Sequence, residues 1–154
     1  MPDTRLNDEQ GRAVGRGAVA RLLSAIEYPE SLPGGNGPFT LRVDGAEVHA
    51  EEFDGRIVLS RFLSDDESLL PTLARYAAGR MLREDAVLAY GRISDSQPSA
   101  FLWQDAPADA DSHEMLRLFE TFMDSCDWWR NRVDALRGGE TSAHALDENM
   151  VIRP

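Results

Sequence analysis

The stretch Phe39-Thr40-Leu41-Arg42-Val43-Asp44-Gly45-Ala46-Glu47-Val48-His49-Ala50-Glu51, running on through Asp54-Gly55 into Arg56 to Leu63, decides the fold. Phe39, Leu41 and Val43 alternate with Thr40 and Arg42, and Ala46, Val48 and Ala50 alternate with Glu47, His49 and Glu51. A period of two puts successive side chains on opposite faces of a strand. Asp44-Gly45 and Asp54-Gly55 each supply the pair of positive-φ residues that a tight hairpin turn requires. The stretch therefore predicts a meander of three antiparallel strands, the third over Arg56 to Leu63.

Helical periodicity flanks the meander. Val14, Ala18, Leu22 and Ile26 recur every fourth residue, with Val19 and Leu23 widening the stripe, and predict a helix from Asn7 to Glu27. Gly11, Gly15 and Gly17 each cost about 1 kcal/mol against Ala there, so the first half of that helix depends on packing. Pro29 and Pro33 stop it, and Ser31 to Gly37 reads as a loop. After the meander, Ser64 and Glu67 are spaced as a capping box before a helix over about Ser68 to Arg83. Its apolar face is Leu69, Leu70, Leu73, Ala77 and Met81, while Ala74, Ala77, Ala78 and Gly79 leave part of its surface flat. A hairpin of Ala86 to Ile93 and Ser99 to Gln104 follows. The last helix runs from Ser112 to Arg137, opened by a capping box of Asp111 and Glu114 and closed by Gly138-Gly139. The order α-β-β-β-α-β-β-α predicts an α+β fold, an antiparallel sheet with helices packed on one face. Residues 1–137 are expected to form one domain and 138–154 a flexible tail, with Met150-Val151-Ile152 able to dock.

Composition narrows the function. The 154 residues are one domain's length, and 42% apolar content suffices for one core. A net charge of −11 opposes phosphate backbones and anionic membranes, so neither nucleic acid nor membrane is an expected partner. No run approaches the roughly 20 apolar residues that span a bilayer, and Met1-Pro2-Asp3-Thr4-Arg5 leads into polar sequence, unlike a secretory signal. A cytoplasmic protein is expected. All sixteen basic side chains are Arg, which removes lysine nucleophiles, Schiff bases and the P-loop lysine. The single cysteine, Cys126, falls on an apolar helix face and reads as a small buried hydrophobe.

Catalytic patterns are missing. The nucleotide-binding glycine motifs and G-x-S-x-G do not occur. Gly34-Gly35-Asn36-Gly37 precedes a strand, where a phosphate loop needs a helix N-terminus. The run Asp105 to Glu114, with Asp109, Asp111 and His113, is the one metal-like cluster. It lacks the glycine and spacing of a calcium loop, and acids at a helix start answer the helix dipole. No enzyme activity, metal or cofactor is expected.

Apolar residues in polar places carry more information. On the last helix Trp128 points about 160° from the centre of the apolar stripe, exposed unless the tail or a partner covers it. On the third strand Val58 and Phe62 share one face with Ser60, while Ile57, Leu59 and Leu63 share the other. Tyr90 and Leu88 share a face on the fourth. An antiparallel sheet covered on one side should alternate more cleanly, so a second surface is expected to bind another chain.

This pattern resembles the class I type III secretion chaperones of Gram-negative bacteria, small acidic proteins that hold effectors before export. The resemblance spans about Leu6 to Leu136. It rests on size, acidity, element order, the Phe39-Thr40-Leu41-Arg42-Val43-Asp44-Gly45 opening, Leu69-Leu70-Pro71-Thr72-Leu73, and the aromatic stretch Phe119 to Trp129. It implies a cytoplasmic homodimer joined through Leu73, Tyr76, Ala77, Arg80 and Tyr90. It implies effector segments bound in extended form at Ile26, Phe39, Leu41, Val48, Val58 and Phe62, to which the misplaced Trp128 is added. It implies no nucleotide or metal cofactor, a part in protein transport and virulence, and the secretion-apparatus ATPase as a further partner. The glycines of the first helix depart from the pattern and bear on its groove. Two other readings stand beside it: a small ligand- or metal-binding domain or enzyme using the acidic cluster around His113, and a regulator sharing the chaperone fold.

Overall fold

The computed structural model describes residues 17–29, 38–92 and 95–148, with side chains described to Gly139. Its elements are α1 (Ala18–Ala25), β1 (Phe39–Val43), β2 (Ala46–Phe53), β3 (Arg56–Ser64), a 3-10 turn (Glu67–Leu69), α2 (Leu70–Arg80), β4 (Val87–Gly91), β5 (Ser99–Pro107) and α3 (Ser112–Glu148). The five strands are ordered β1-β2-β3-β5-β4 in one sheet. The expected α+β order is the one found. Asn7 to Arg16, the loop Ser31 to Gly37, Ile93 and Met150-Val151-Ile152 lie outside the described residues.

The meander forms as its turns dictate. Asp44 and Gly45 have φ of 50° and 77°, and Asp54 and Gly55 have 49° and 71°. The pairing Leu41↔Val48 and Arg42↔Glu47 continues into β3 as Ala50↔Leu59 and Glu51↔Val58. That register gathers Leu41, Val48, Ala50, Ile57 and Leu59 on one face, all with 0% exposure.

The chain divides into two compact units: residues up to Arg61 together with Trp103–Phe122, and Phe62–Leu102 together with residues from Met123 on. In the first, α1 buries Ala18, Val19, Leu22 and Leu23. Gly17 lies just before the helix as its N-cap and not inside it. The orphan N–H of Ala18 donates to a Glu52 carboxylate oxygen at 2.8 Å, so the strand supplies the cap that glycine cannot. At the other end, the N–H of Glu27 donates to the Ser24 carbonyl and that of Tyr28 to the Leu23 carbonyl, at 3.2 and 2.9 Å. These bonds make a Schellman closure, with Glu27 at φ 54° where glycine is preferred. Glu27→Gly should therefore raise the unfolding free energy by about 1 kcal/mol, read from urea denaturation; no gain would mean that Glu27 is unstrained.

In the second unit the predicted start of the middle helix is corrected. Ser64 and Glu67 form no capping box. The Ser64 hydroxyl accepts the Asp66 N–H at 3.1 Å, and the Asp66 carboxylate accepts the N–H and hydroxyl of Ser68 at 3.0 and 2.6 Å. Those bonds, the Ser68 hydroxyl first, hold the Asp66 carboxyl below its ordinary range. A lowered folded-state value means that the cap is present above the ordinary Asp range and is lost as pH falls through the lowered one. Following the Ser68 amide by NMR from pH 7 to pH 2 should show one transition lying below the ordinary Asp value. A transition at or above that value contradicts this.

Helix α2 ends at Arg80, short of the expected Arg83. The N–H groups of Arg83 and Glu84 turn back to the Arg80 carbonyl at 2.8 and 3.0 Å. Met81, expected on the apolar face, is the C-cap, its N–H still bonded to the Ala77 carbonyl at 2.9 Å, and is 73% exposed.

The last helix begins as expected. Asp111 and Glu114 exchange reciprocal bonds, the Asp111 N–H to the Glu114 carboxylate at 3.1 Å and the Glu114 N–H to the Asp111 carboxylate at 2.9 Å. It does not stop at Gly138-Gly139 but continues to Glu148. Both glycines keep helical backbone, since glycine permits a left-handed cap without requiring one, and Ala143, Ala145 and Leu146 beyond them are good helix formers.

Candidate protein-binding surfaces

Strand parity separates the residues that the resemblance gathered for effector binding. Leu41 and Val48 have 0% exposure and belong to the core. Val58 and Phe62 have the opposite parity on β3 to the buried Leu59. Val58 is half-buried and Phe62 is 49% exposed. Leu41 and Val48 therefore drop out as surface contacts, because no single groove can present both faces of a sheet.

Ile26 and Phe39 are half-buried at the rim of the first unit. Ile26 lines a cavity of about 310 Å³ with Tyr28, Pro29, Val43 and Phe119, bordered by Glu27, Arg42 and Asp44. Next to it, Tyr28, Thr40, Arg42 and Glu47 line a polar recess of about 410 Å³.

The second unit holds the residues expected at a dimer interface. Leu73 has 0% exposure and is core, so it too is withdrawn as a surface contact. Tyr76 and Arg80 stay at the surface of α2, and Trp128 joins them. The Trp128 indole meets the Tyr76 ring edge-on at 6.2 Å, and the Arg80 guanidinium lies 3.6 Å from its centroid. Arg132 approaches both rings, at 4.9 Å from Tyr76 and 5.3 Å from Trp128. Trp128 is half-buried, corrected from the exposure that a lone helical wheel implies: side chains of α2 and a neighbouring turn of its own helix cover it. Arg80 is also ion-paired with Glu84. Burial first, and then the charges of Arg132 and Arg83, pull the Arg80 guanidinium below its ordinary value.

Among the described residues, five of the six exposed large apolar side chains lie in this unit; the sixth, Phe53 at 69%, lies in the first. Leu82 is 96% exposed, Met81 73%, Phe62 49%, Tyr90 48% and Val87 44%. Tyr90 donates its hydroxyl to Glu67 at 3.3 Å, and its pKa is raised by desolvation and then by the Glu67 charge. Sequence reading found Phe62 and Tyr90 and missed Leu82. Leu82 lies just past the helix C-cap at Met81, and no period in the sequence sets its exposure.

The acidic run has structural partners. Asp105 pairs with Arg56, Asp111 and Glu114 form the cap, and His113 is exposed. Among the described residues no group of three or more His, Cys, Asp or Glu could hold a metal ion. No helix among them is long and apolar enough to cross a membrane.

No family model and no curated relative matches the sequence. Solved structures do. The chain is similar to the HopA1–SchA chaperone–effector complex, at 14% identity and TM-score 0.57 over 74% of this chain and 91% of that one. It is similar to the ExsC–ExsE complex, at 16% identity and TM-score 0.55 over 74% and 89%. It is also similar to YbjN from E. coli, provisionally assigned as a transcription regulator, at 12% identity and TM-score 0.59 over 76% and 89%. The fold is therefore shared with a chaperone solved with its effector, as the type III secretion resemblance implied.

Proposed function

We propose that this chain is a cytoplasmic homodimeric chaperone of a Gram-negative bacterium, without enzymatic activity or cofactor. It holds the N-terminal segments of type III secretion effectors extended and export-competent. One observation carries the reading: Phe62, Met81, Leu82, Val87 and Tyr90 stand exposed within one unit of an otherwise strongly acidic protein. Exposed large apolar side chains are candidates for cover by another chain. The turn Met81-Leu82 with Val87 and Tyr90 on the edge strand β4 suits a second copy. Phe62 and Val58, on the face of β3 opposite Leu59, suit the effector; Phe39, on the face of Leu41, forms with Ile26 a separate candidate contact. The shared fold supports the same reading, and the secretion-apparatus ATPase is a natural recipient of the loaded complex.

Co-expression tests this. The N-terminal segment of a secreted effector from the same bacterium, insoluble alone, should become soluble and co-purify with this chain. If no secreted effector of that bacterium is retained, the reading fails. The likeness to YbjN favours one second reading, a regulator with the same fold. It predicts altered transcript levels on deletion with no effector bound.

A further inference from the structure

We infer that Arg80, Arg83 and Arg132, gathered around Trp128, form a docking site for a short acidic segment of another protein. The site goes beyond the chaperone reading and does not depend on it. It gives Arg80 and Tyr76, which the resemblance placed between two copies, a different partner.

The cluster lies wholly within the second unit. Arg80 comes from the last turn of α2, and its guanidinium lies 3.6 Å from the Trp128 centroid. Arg132 stands four residues beyond Trp128 on α3, on the same helix face. Its guanidinium is 5.3 Å from the Trp128 ring and 4.9 Å from the Tyr76 ring. The aromatic faces hold these cations, but a ring quadrupole is not a countercharge. Among the described residues Arg80 is ion-paired with Glu84, while Arg83 and Arg132 pair with no carboxylate. Three guanidinium groups thus share one acid, in a chain where acids outnumber arginines 27 to 16. The repulsion is felt at Arg80, whose guanidinium is pulled below its ordinary value by burial and then by Arg132 and Arg83.

The internal pair is also incomplete. Arg80 Nε and Glu84 Oε2 are buried without a hydrogen-bond partner. Guanidinium groups bind carboxylates through paired N–H bonds, so the complement of this cluster is a run of Asp or Glu side chains. The run has to be short. The overall charge of −11 repels an extended polyanion such as nucleic acid, whereas the local cations act within a Debye length of about 8 Å. A second copy fits less well, because on a two-fold axis the cluster would face its own like charges. Leu82, at 96% exposure, touches almost nothing, so the turn proposed for the second copy projects clear of the cluster.

The test uses the whole chain, with capped hexaglutamate as the probe and tryptophan fluorescence at low ionic strength as the readout. Carboxylates that draw Arg80 or Arg132 off the indole should change the Trp128 emission. Arg132→Gln, at an exposed side chain, should weaken binding about tenfold, the loss of one charge-assisted hydrogen bond. Adding Arg83→Gln, also at an exposed side chain, should bring the loss to about a hundredfold. Arg75→Gln, exposed on α2 outside the cluster, should bind like the parent. Equal affinity in the parent and the double variant overturns the inference. So does an equal loss in Arg75→Gln, which would make the attraction one of overall charge. A single-stranded oligonucleotide bound as tightly as hexaglutamate overturns it in favour of nucleic acid. Dissociation of self-associated chains by hexaglutamate, read by sedimentation velocity, would place the cluster between copies and overturns it as well.

Discussion

Leu82→Asp should leave the monomer's stability within about 0.5 kcal/mol and weaken self-association by a hundredfold or more. The side chain is 96% exposed, so its loss removes almost nothing from the folded monomer. Across an isologous interface the same residue is buried twice, once from each copy. Burying a leucine is worth about 1.5–3 kcal/mol, and two of them come to at least a hundredfold in affinity. The aspartate also adds to a chain already at −11, raising repulsion between copies. Sedimentation velocity at micromolar concentration reads the result directly. A Leu82→Asp protein that stays dimeric moves the interface away from the Met81-Leu82 turn.

Phe62→Asp should cut effector binding by about tenfold to a hundredfold while the dimer survives. Phe62 is half exposed, and the side chains of opposite parity on β3, Leu59 and Leu63, already fill the core. Its removal therefore costs the fold little. Covering the remaining aromatic surface with a client is worth about 1.5–3 kcal/mol at most, and a carboxylate in its place would need a partner that an apolar segment does not supply. Titration of a labelled effector segment into parent and variant measures the difference. Unchanged affinity would mean that the client lies on the other face or at the sheet edge alone.

The parts legible in the sequence were those set by local chemistry. Two Asp-Gly turns and a period of two gave the meander, and the Asp111 and Glu114 spacing gave the start of α3. What was not legible depended on contacts distant in sequence. The cap on α1 comes from Glu52, on a strand that no spacing rule ties to Ala18. Asp66 took the capping role from Ser64 because the chain turns at Asp65-Asp66 before the 3-10 segment begins. The surface residues divided in the same way. Phe62 stood out because strand parity is a strict rule, whereas Leu41 and Val48 were assigned by analogy and proved to be on the buried side. Trp128 looked exposed because a helical wheel sees one helix, and Arg80 belongs to another.

On the proposed reading a dimer of this chain holds extended effector polypeptide. Light scattering on the complex purified after co-expression with an effector N-terminal segment tests it most directly. A single species is expected that contains two copies of the 17.1 kDa chain together with the segment. A 17.1 kDa monomer eluting free of the segment would contradict it.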